Sequence, residues 1–336
     1  MKIVGIGGGT GLPVLLRGLK ELAVSSTREM EEEITTTAVV CVSDTGGSSG
    51  ILRRKFGIPA VGDLRNCLVA LAEASSALTE LFQVRLAADA QLAGHPLGNL
   101  IVTALFARSG NLREALAASA KLLQSRGEVL ASTERETTLC AEFDDGSVTR
   151  GEAEIAARRA GIRRVWMEPE RPPPGSDVVE KLLQADAIVI GPGSLFTSIV
   201  PNLLTAGVAE AIEGSAAVKI VVGNLMTEPG ETAGCSAADH LRVLNSYTGF
   251  GSAPICLLNS RPIPQTAVQR YARAGSEPVS GDEREIVSEG AVPVSADLLD
   301  EQATEIRHDP LKLARLVACL TRGVMRVRDL GSPEMD

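Results

Sequence analysis

The stretch Lys2-Ile3-Val4-Gly5-Ile6-Gly7-Gly8-Gly9-Thr10-Gly11 decides how this chain is read. Lys2 to Ile6 is short and largely apolar, as a buried strand requires, and the glycine run then breaks the strand. From Leu12 to Lys20 apolar residues return at helical spacing, with Pro13 near the helix start, where a missing amide hydrogen costs nothing. The unit is therefore strand, glycine loop, helix. Glycines let a backbone approach a ligand closely, and the first amides of a helix, lacking internal partners, attract anions such as phosphate. The G-x-G-x-x-G dinucleotide pattern is out of register, because its third glycine falls on Thr10. No Lys-Ser or Lys-Thr follows, so the run is not a P-loop. A tight turn without a ligand is the plainer reading, but five glycines between Gly5 and Gly11 exceed what a turn needs.

Working outward, 336 residues allow two domains or one large α/β domain. A single domain over residues 1–327 is expected, with 328–336 as a flexible tail. Hydrophobic residues make up 44% but aromatics only 3%, so Ala, Val, Leu and Ile fill the core, and stacking platforms for single-stranded nucleic acid are scarce. A net charge of −9 argues further against a nucleic-acid partner. The six cysteines lack C-x-x-C spacing, so neither a zinc site nor a disulfide framework is indicated. No apolar run reaches membrane-spanning length and no signal peptide precedes the first strand, so a cytoplasmic protein without a membrane span is expected.

The same edge chemistry recurs along the chain. Apolar strands end after residues 6, 43, 190, 222 and 258 in glycine-rich, Asp or Asn signatures. Such clustering at the carboxyl ends predicts an α/β fold, a doubly wound, mostly parallel Rossmann-like sheet with a nucleotide-sized ligand across that edge. After the second strand, Asp44 precedes a second glycine loop, Gly46 to Gly50; it suits a metal ion, a ribose hydroxyl or a local cap. Arg53, Arg54 and Lys55 follow, a basic run able to help hold phosphate or simply to be solvated. Asp63, Arg65 and Asn66 cluster at the start of a helix, where Asp63 also suits a cap. His95, in Gly94-His95-Pro96-Leu97-Gly98-Asn99, suits a general base, an anion ligand or a satisfied polar residue. Gly191 to Ser198 forms a second phosphate-style turn, Asn224 opens a polar loop through Thr232, and the acidic run from Glu29 to Glu33 reads as a solvated loop. Alternating residues around Asp144-Asp145-Gly146 predict an inserted β-hairpin over about 129–150.

Seven segments taken together resemble the bacterial gluconeogenesis-factor family, also called YvcK-like: GGGTGLPVLLRGLK, SDTGGSSGILR, GDLRNCLVALA, GHPLGNL, IGPGSLFTSIVPNLL, GNLMTEPGET and IRHDP. They run in order from residue 3 to about 315. The family is similar in fold to the 2-phospho-L-lactate transferase CofD. The resemblance implies a protein that binds UDP-sugars, notably UDP-N-acetylglucosamine, and acts in growth on gluconeogenic carbon sources, cell-wall synthesis and cell shape. It implies that Gly8, Gly9, Thr10, Gly11, Gly193 and Ser194 form the nucleotide-phosphate loops. It also assigns Tyr271 and Arg307 to the nucleotide sugar; nothing in their spacing alone had singled them out.

The chain departs from the family pattern in two places. Asp44 is followed by Thr45 where two acids are usual, and Asp63-Leu64-Arg65-Asn66 stands where the transferase branch has Asp-Leu-Asp-Thr. An arginine in place of a carboxylate removes a hard oxygen ligand for Mg²⁺. The first expectation is therefore a regulatory protein that binds a UDP-sugar or other nucleotide, with Asp44, Asn66 and Asn224 lining the site and a regulatory protein or a second copy as partner. The alternative is a transferase using a nucleotide diphosphate-linked donor, with Asp44 and Asp63 holding Mg²⁺ and His95 beside the acceptor.

Overall fold

The computed structural model describes residues 1–26, 33–73, 77–87 and 94–331. Its first strand, β1 (Lys2–Gly7), lies in the middle of a seven-stranded parallel sheet. On one side stand β2 (Thr35–Val40) and β3 (Glu128–Ala131). A separate three-stranded antiparallel sheet follows in the chain, made of β4 (Thr138–Phe143), β5 (Val148–Arg150) and β6 (Ile162–Glu168). The chain then returns to the other side of β1 with β7 (Ala187–Ile190), β8 (Val218–Val222), β9 (Ile255–Asn259) and β10 (Val292–Ala296). The sheet order is β10-β9-β8-β7-β1-β2-β3.

Strand order reverses between β1 and β7, and such a switch point opens a crevice outside the carboxyl ends of the strands. The two loops that leave those strands, Gly8–Gly11 and Gly191–Ser194, flank it. β7 and β8 are buried at every position, because helices or the small sheet cover both faces of the main sheet. On one face α1 (Leu12–Ser26) packs against the helix Pro310–Gly331, with Leu15, Leu16, Leu19, Leu313 and Val317 in the contact core. Contact there is close enough that a Cβ on Gly18 would lie 1.8 Å from the Pro310 carbonyl oxygen. The small antiparallel sheet covers the other face, where Leu139, Phe143 and Val165 join Ile188 and Ile190 in a second core.

Three sequence expectations are corrected here. The hairpin expected over 129–150 is confined to β4 and β5: Glu128–Ala131 is instead the edge strand of the main sheet, paired in parallel with β2, and β6 adds a third antiparallel strand. Alternation of β-branched and polar residues does not reveal which partner a strand will take, and Val129, Leu130 and Ala131 are all buried. The second glycine loop is the first turn of α2 (Gly47–Phe56). A Cβ on Gly50 would clash with the Thr45 carbonyl oxygen, so the close approach of the helix to the loop before it requires that glycine. Finally, the last helix continues to Gly331, through part of the expected tail, while 332–336 lie outside the described residues. Residues 27–32, most of the acidic run, also lie outside them.

Candidate functional site

The first loop is held in place before any ligand is considered. Gly9 takes φ +60°, a left-handed conformation that glycine adopts without strain. Its amide donates to Asp63 Oδ2 at 2.6 Å, and its carbonyl accepts from Asn66 Nδ2 at 3.4 Å. Both anchors come from the first turns of α3 (Gly62–Leu71). Gly8 has no room for a side chain, since a Cβ would meet Asp63 Oδ2 at 2.7 Å. A Cβ on Gly11 would lie 2.3 Å from the Pro192 carbonyl oxygen, so the two glycine loops touch backbone to backbone.

The second loop is fixed from two directions. The Asn224 amide, at the end of β8, accepts from the Gly193 amide at 3.3 Å and donates to its carbonyl at 2.8 Å. Buried Asn202 donates to the Gly7 carbonyl at 3.1 Å, tying the helix after the second loop back to the first. Glu231 accepts from Thr197 Oγ1 at 2.8 Å and from the Phe196 amide at 3.2 Å. Burial, and then the neighbouring Glu228, push its carboxyl up to about 7. Glu228 is raised by burial as well, against a hydrogen bond from Ser194.

These loops form one wall of a cavity of about 370 Å³. Gly9, Thr10, Gly11, Gly193, Ser194 and Asn224 line it together with Tyr271 and Arg307. Tyr271 lies on the helix Gln265–Ala272, which buries none of its residues. Its hydroxyl accepts from the Ile306 amide at 3.1 Å, joining that helix to the segment that carries Arg307. Arg307 pairs with Glu305, and Arg270 stands 5.4 Å from the Tyr271 ring centroid. His308 also lines the cavity, is buried, and is pushed down to about 4 by burial.

Gly8, Asp44, Asp63, Asn66 and His95 do not line this cavity. Asp63 and Asn66 act on it through Gly9. Asp44 Oδ1 accepts from the Gly46 amide at 2.7 Å, which realises the local-cap reading of that residue. Asp63 and Asp44 sit close enough that the charge of Asp44 adds to burial in raising the Asp63 carboxyl, against the bond from the Gly9 amide. Glu152, which sequence reading did not single out, joins them: burial and then Asp44 push it up to about 8. Among the described residues no group of three or more His, Cys, Asp or Glu is placed to hold a metal ion. His95 is buried, its Nδ1 2.7 Å from Ser48 Oγ, and Asn99 Nδ2 donates to the same hydroxyl at 3.0 Å. Arg53 of the basic run is buried and pairs with Glu136 at 3.3 Å, while Arg54 and Lys55 are exposed.

Residues 3–299 match the family model described as 2-phospho-L-lactate transferase CofD. The chain is 40% identical over 315 residues to the gluconeogenesis factor of Halalkalibacterium halodurans, covering 94% of this chain and 95% of the relative. The chain belongs to the gluconeogenesis-factor family within the CofD fold family. The gluconeogenesis factor of Bacillus subtilis is 39% identical over 321 residues, covering 96% of this chain and 98% of that one. A crystal structure of a UPF0052-family protein from Bacillus halodurans superimposes with a TM-score of 0.88 at 39% identity, covering 94% of this chain and 99% of that one. The match to that structure covers nearly the whole length of this gluconeogenesis-factor family member, so the two share one architecture. Among the described residues no single helix is long and apolar enough to cross a membrane.

Proposed function

We propose that this protein is a cytoplasmic nucleotide-sugar-binding regulator, which takes a nucleoside diphosphate sugar of the UDP-N-acetylglucosamine type at the switch point and thereby controls growth on gluconeogenic carbon sources, cell-wall synthesis and cell shape. The observation that carries this reading is the pairing of two backbone-to-backbone glycine loops with Tyr271 and Arg307 across one cavity. Glycine amides suit a diphosphate, an aromatic ring suits a base, and a guanidinium suits the remaining charge. Asp63 and Asn66, the residues nearest to a transferase motif, are engaged in holding Gly9. A ligand that differs in affinity between two states of the protein, or between free and partner-bound forms, would shift that equilibrium.

A Mg²⁺-dependent transferase is the second reading, favoured by the mutual repulsion of Asp44, Asp63 and Glu152. Mg²⁺ is commonly held by one or two carboxylates together with substrate phosphates, so Asp44 and Asp63 would hold it. The ion would supply charge neutralisation at the phosphates. A thermal-shift screen with UDP-N-acetylglucosamine, UDP-glucose, GDP and GTP, each with and without Mg²⁺, separates the two, because a ligand that binds only the folded chain raises Tm. A Mg²⁺-independent shift with UDP-sugars alone is the expected result. A shift confined to guanine nucleotides with Mg²⁺ refutes the regulator.

A further inference from the structure

A second cavity, of about 490 Å³, opens along the same carboxyl edge at the ends of β8, β9 and β10. It shares Asn224 and Leu225 with the first cavity, and the helix Gln265–Ala272 spans both, with Gln265 and Val268 over the second and Tyr271 over the first. Its walls mix aliphatic and polar side chains, Leu258, Val268 and Val279 beside Asn259, Gln265 and Ser295, and no aromatic side chain lines it. Its one guanidinium, Arg261, is committed to Asp297 at 3.1 Å and Glu301 at 2.9 Å. The Asn259 side-chain amide is committed to backbone, donating to the Arg261 carbonyl and accepting from the Leu298 amide beyond β10. Within the described protein the exposed Gln265 amide and Ser260 hydroxyl make no side-chain hydrogen bond, which leaves two neutral polar groups open to a ligand.

We propose that this second cavity receives the sugar end of the same ligand, so that one nucleotide sugar lies across Asn224 and Leu225 beneath the helix Gln265–Ala272. The inference rests on the nucleotide-sugar reading of the first cavity. A phosphate is best held by an unpaired cation, and the one guanidinium of the second cavity is already paired with two carboxylates. A base needs a flat aromatic partner, and Tyr271 faces the other cavity. An uncharged, hydroxylated ring fits these walls, its apolar face against the aliphatic side chains and its hydroxyls against the amides and hydroxyls beside them. The first cavity, at about 370 Å³, is near the lower end of ligand sites, roughly 300–1,000 Å³. A ligand of three parts is better accommodated by both.

The test is calorimetry of UDP and UDP-N-acetylglucosamine binding to the full chain and to Val268→Trp, which fills the second cavity from a helix that buries no residue. UDP affinity should be unchanged and UDP-N-acetylglucosamine affinity should fall by about tenfold or more, the usual consequence of overfilling a packed site. Gln265→Ala, which adds no bulk, should weaken the sugar nucleotide alone, by a few-fold. Unchanged affinity for both probes in both variants overturns the sugar site, and an equal loss for both probes overturns it by placing the nucleoside there. Wild-type protein that binds neither probe refutes the nucleotide-sugar reading itself, a result distinct from either.

Discussion

Asp63→Ala tests whether the first loop is pre-formed by the protein. The carboxylate accepts the Gly9 amide at 2.6 Å while Gly9 holds a left-handed φ, so the bond selects one loop conformation from those a glycine run can adopt. A hydrogen bond to a charged group contributes about 1.5–3 kcal/mol net. If the loop must be re-ordered by the ligand once that bond is gone, affinity for a UDP-sugar should fall by roughly 10- to 150-fold. Asp63→Asn keeps an acceptor of nearly the same shape without the charge, so its loss should be smaller, about 1 kcal/mol or fivefold. The Asp63 carboxyl is raised by burial, so Asp63→Asn, which removes the charge and keeps an acceptor, should leave Tm unchanged or higher. Calorimetry of wild type and both variants, with Mg²⁺ and with chelator, reads all of this together. Full affinity in the alanine variant would refute pre-organisation by Asp63. Equal loss in both variants, present only when Mg²⁺ is supplied, would refute the positioning role in favour of metal binding.

Gly11→Ala places a Cβ 2.3 Å from the Pro192 carbonyl oxygen, so denaturant melts should give a loss of about 1–3 kcal/mol and binding should fall with it; a variant as stable as wild type would mean the loops can separate freely. Tyr271→Ala should weaken UDP-sugar binding by about 1–3 kcal/mol if the ring stacks on the base, whereas Tyr271→Phe, which loses only the bond from the Ile306 amide, should cost about 1 kcal/mol or less; equal effects would deny stacking. Stability should peak on the acidic side of neutrality. Glu231 is raised from 4.5 to about 7, so the folded chain holds a proton that the unfolded chain releases, and stability falls as pH rises across that window. His308 is lowered from 6.5 to about 4, so the unfolded chain takes the proton first, and stability falls as pH drops through that range. Thermal melts from pH 4 to 9 read both limbs, and Glu231→Gln should flatten the alkaline one; an unaltered limb would assign it to other groups.

The sequence by itself determined the α/β architecture and the edge that carries the polar chemistry. Near-continuous apolar runs such as Ala187 to Ile190, broken at once by glycine, leave little choice but buried parallel strands with glycine-rich loops at their carboxyl ends. Local order along the chain also sufficed for the two glycine loops and Asn224, because turn chemistry is written in consecutive residues. Tertiary structure alone decided what those residues touch. Asp63 and Asn66 read as a ligand or metal cluster, yet they hold Gly9 from 54 and 57 positions away. Val129 read as one arm of a hairpin, yet it joins β2 of the main sheet, since strand pairing depends on which edge the fold leaves open. Glu152 and Asp44, more than a hundred positions apart, meet in a setting that raises the glutamate to about 8. Charge shifts and cavity walls arise where distant segments exclude water from one another, and neither residue identity nor local spacing encodes that distance.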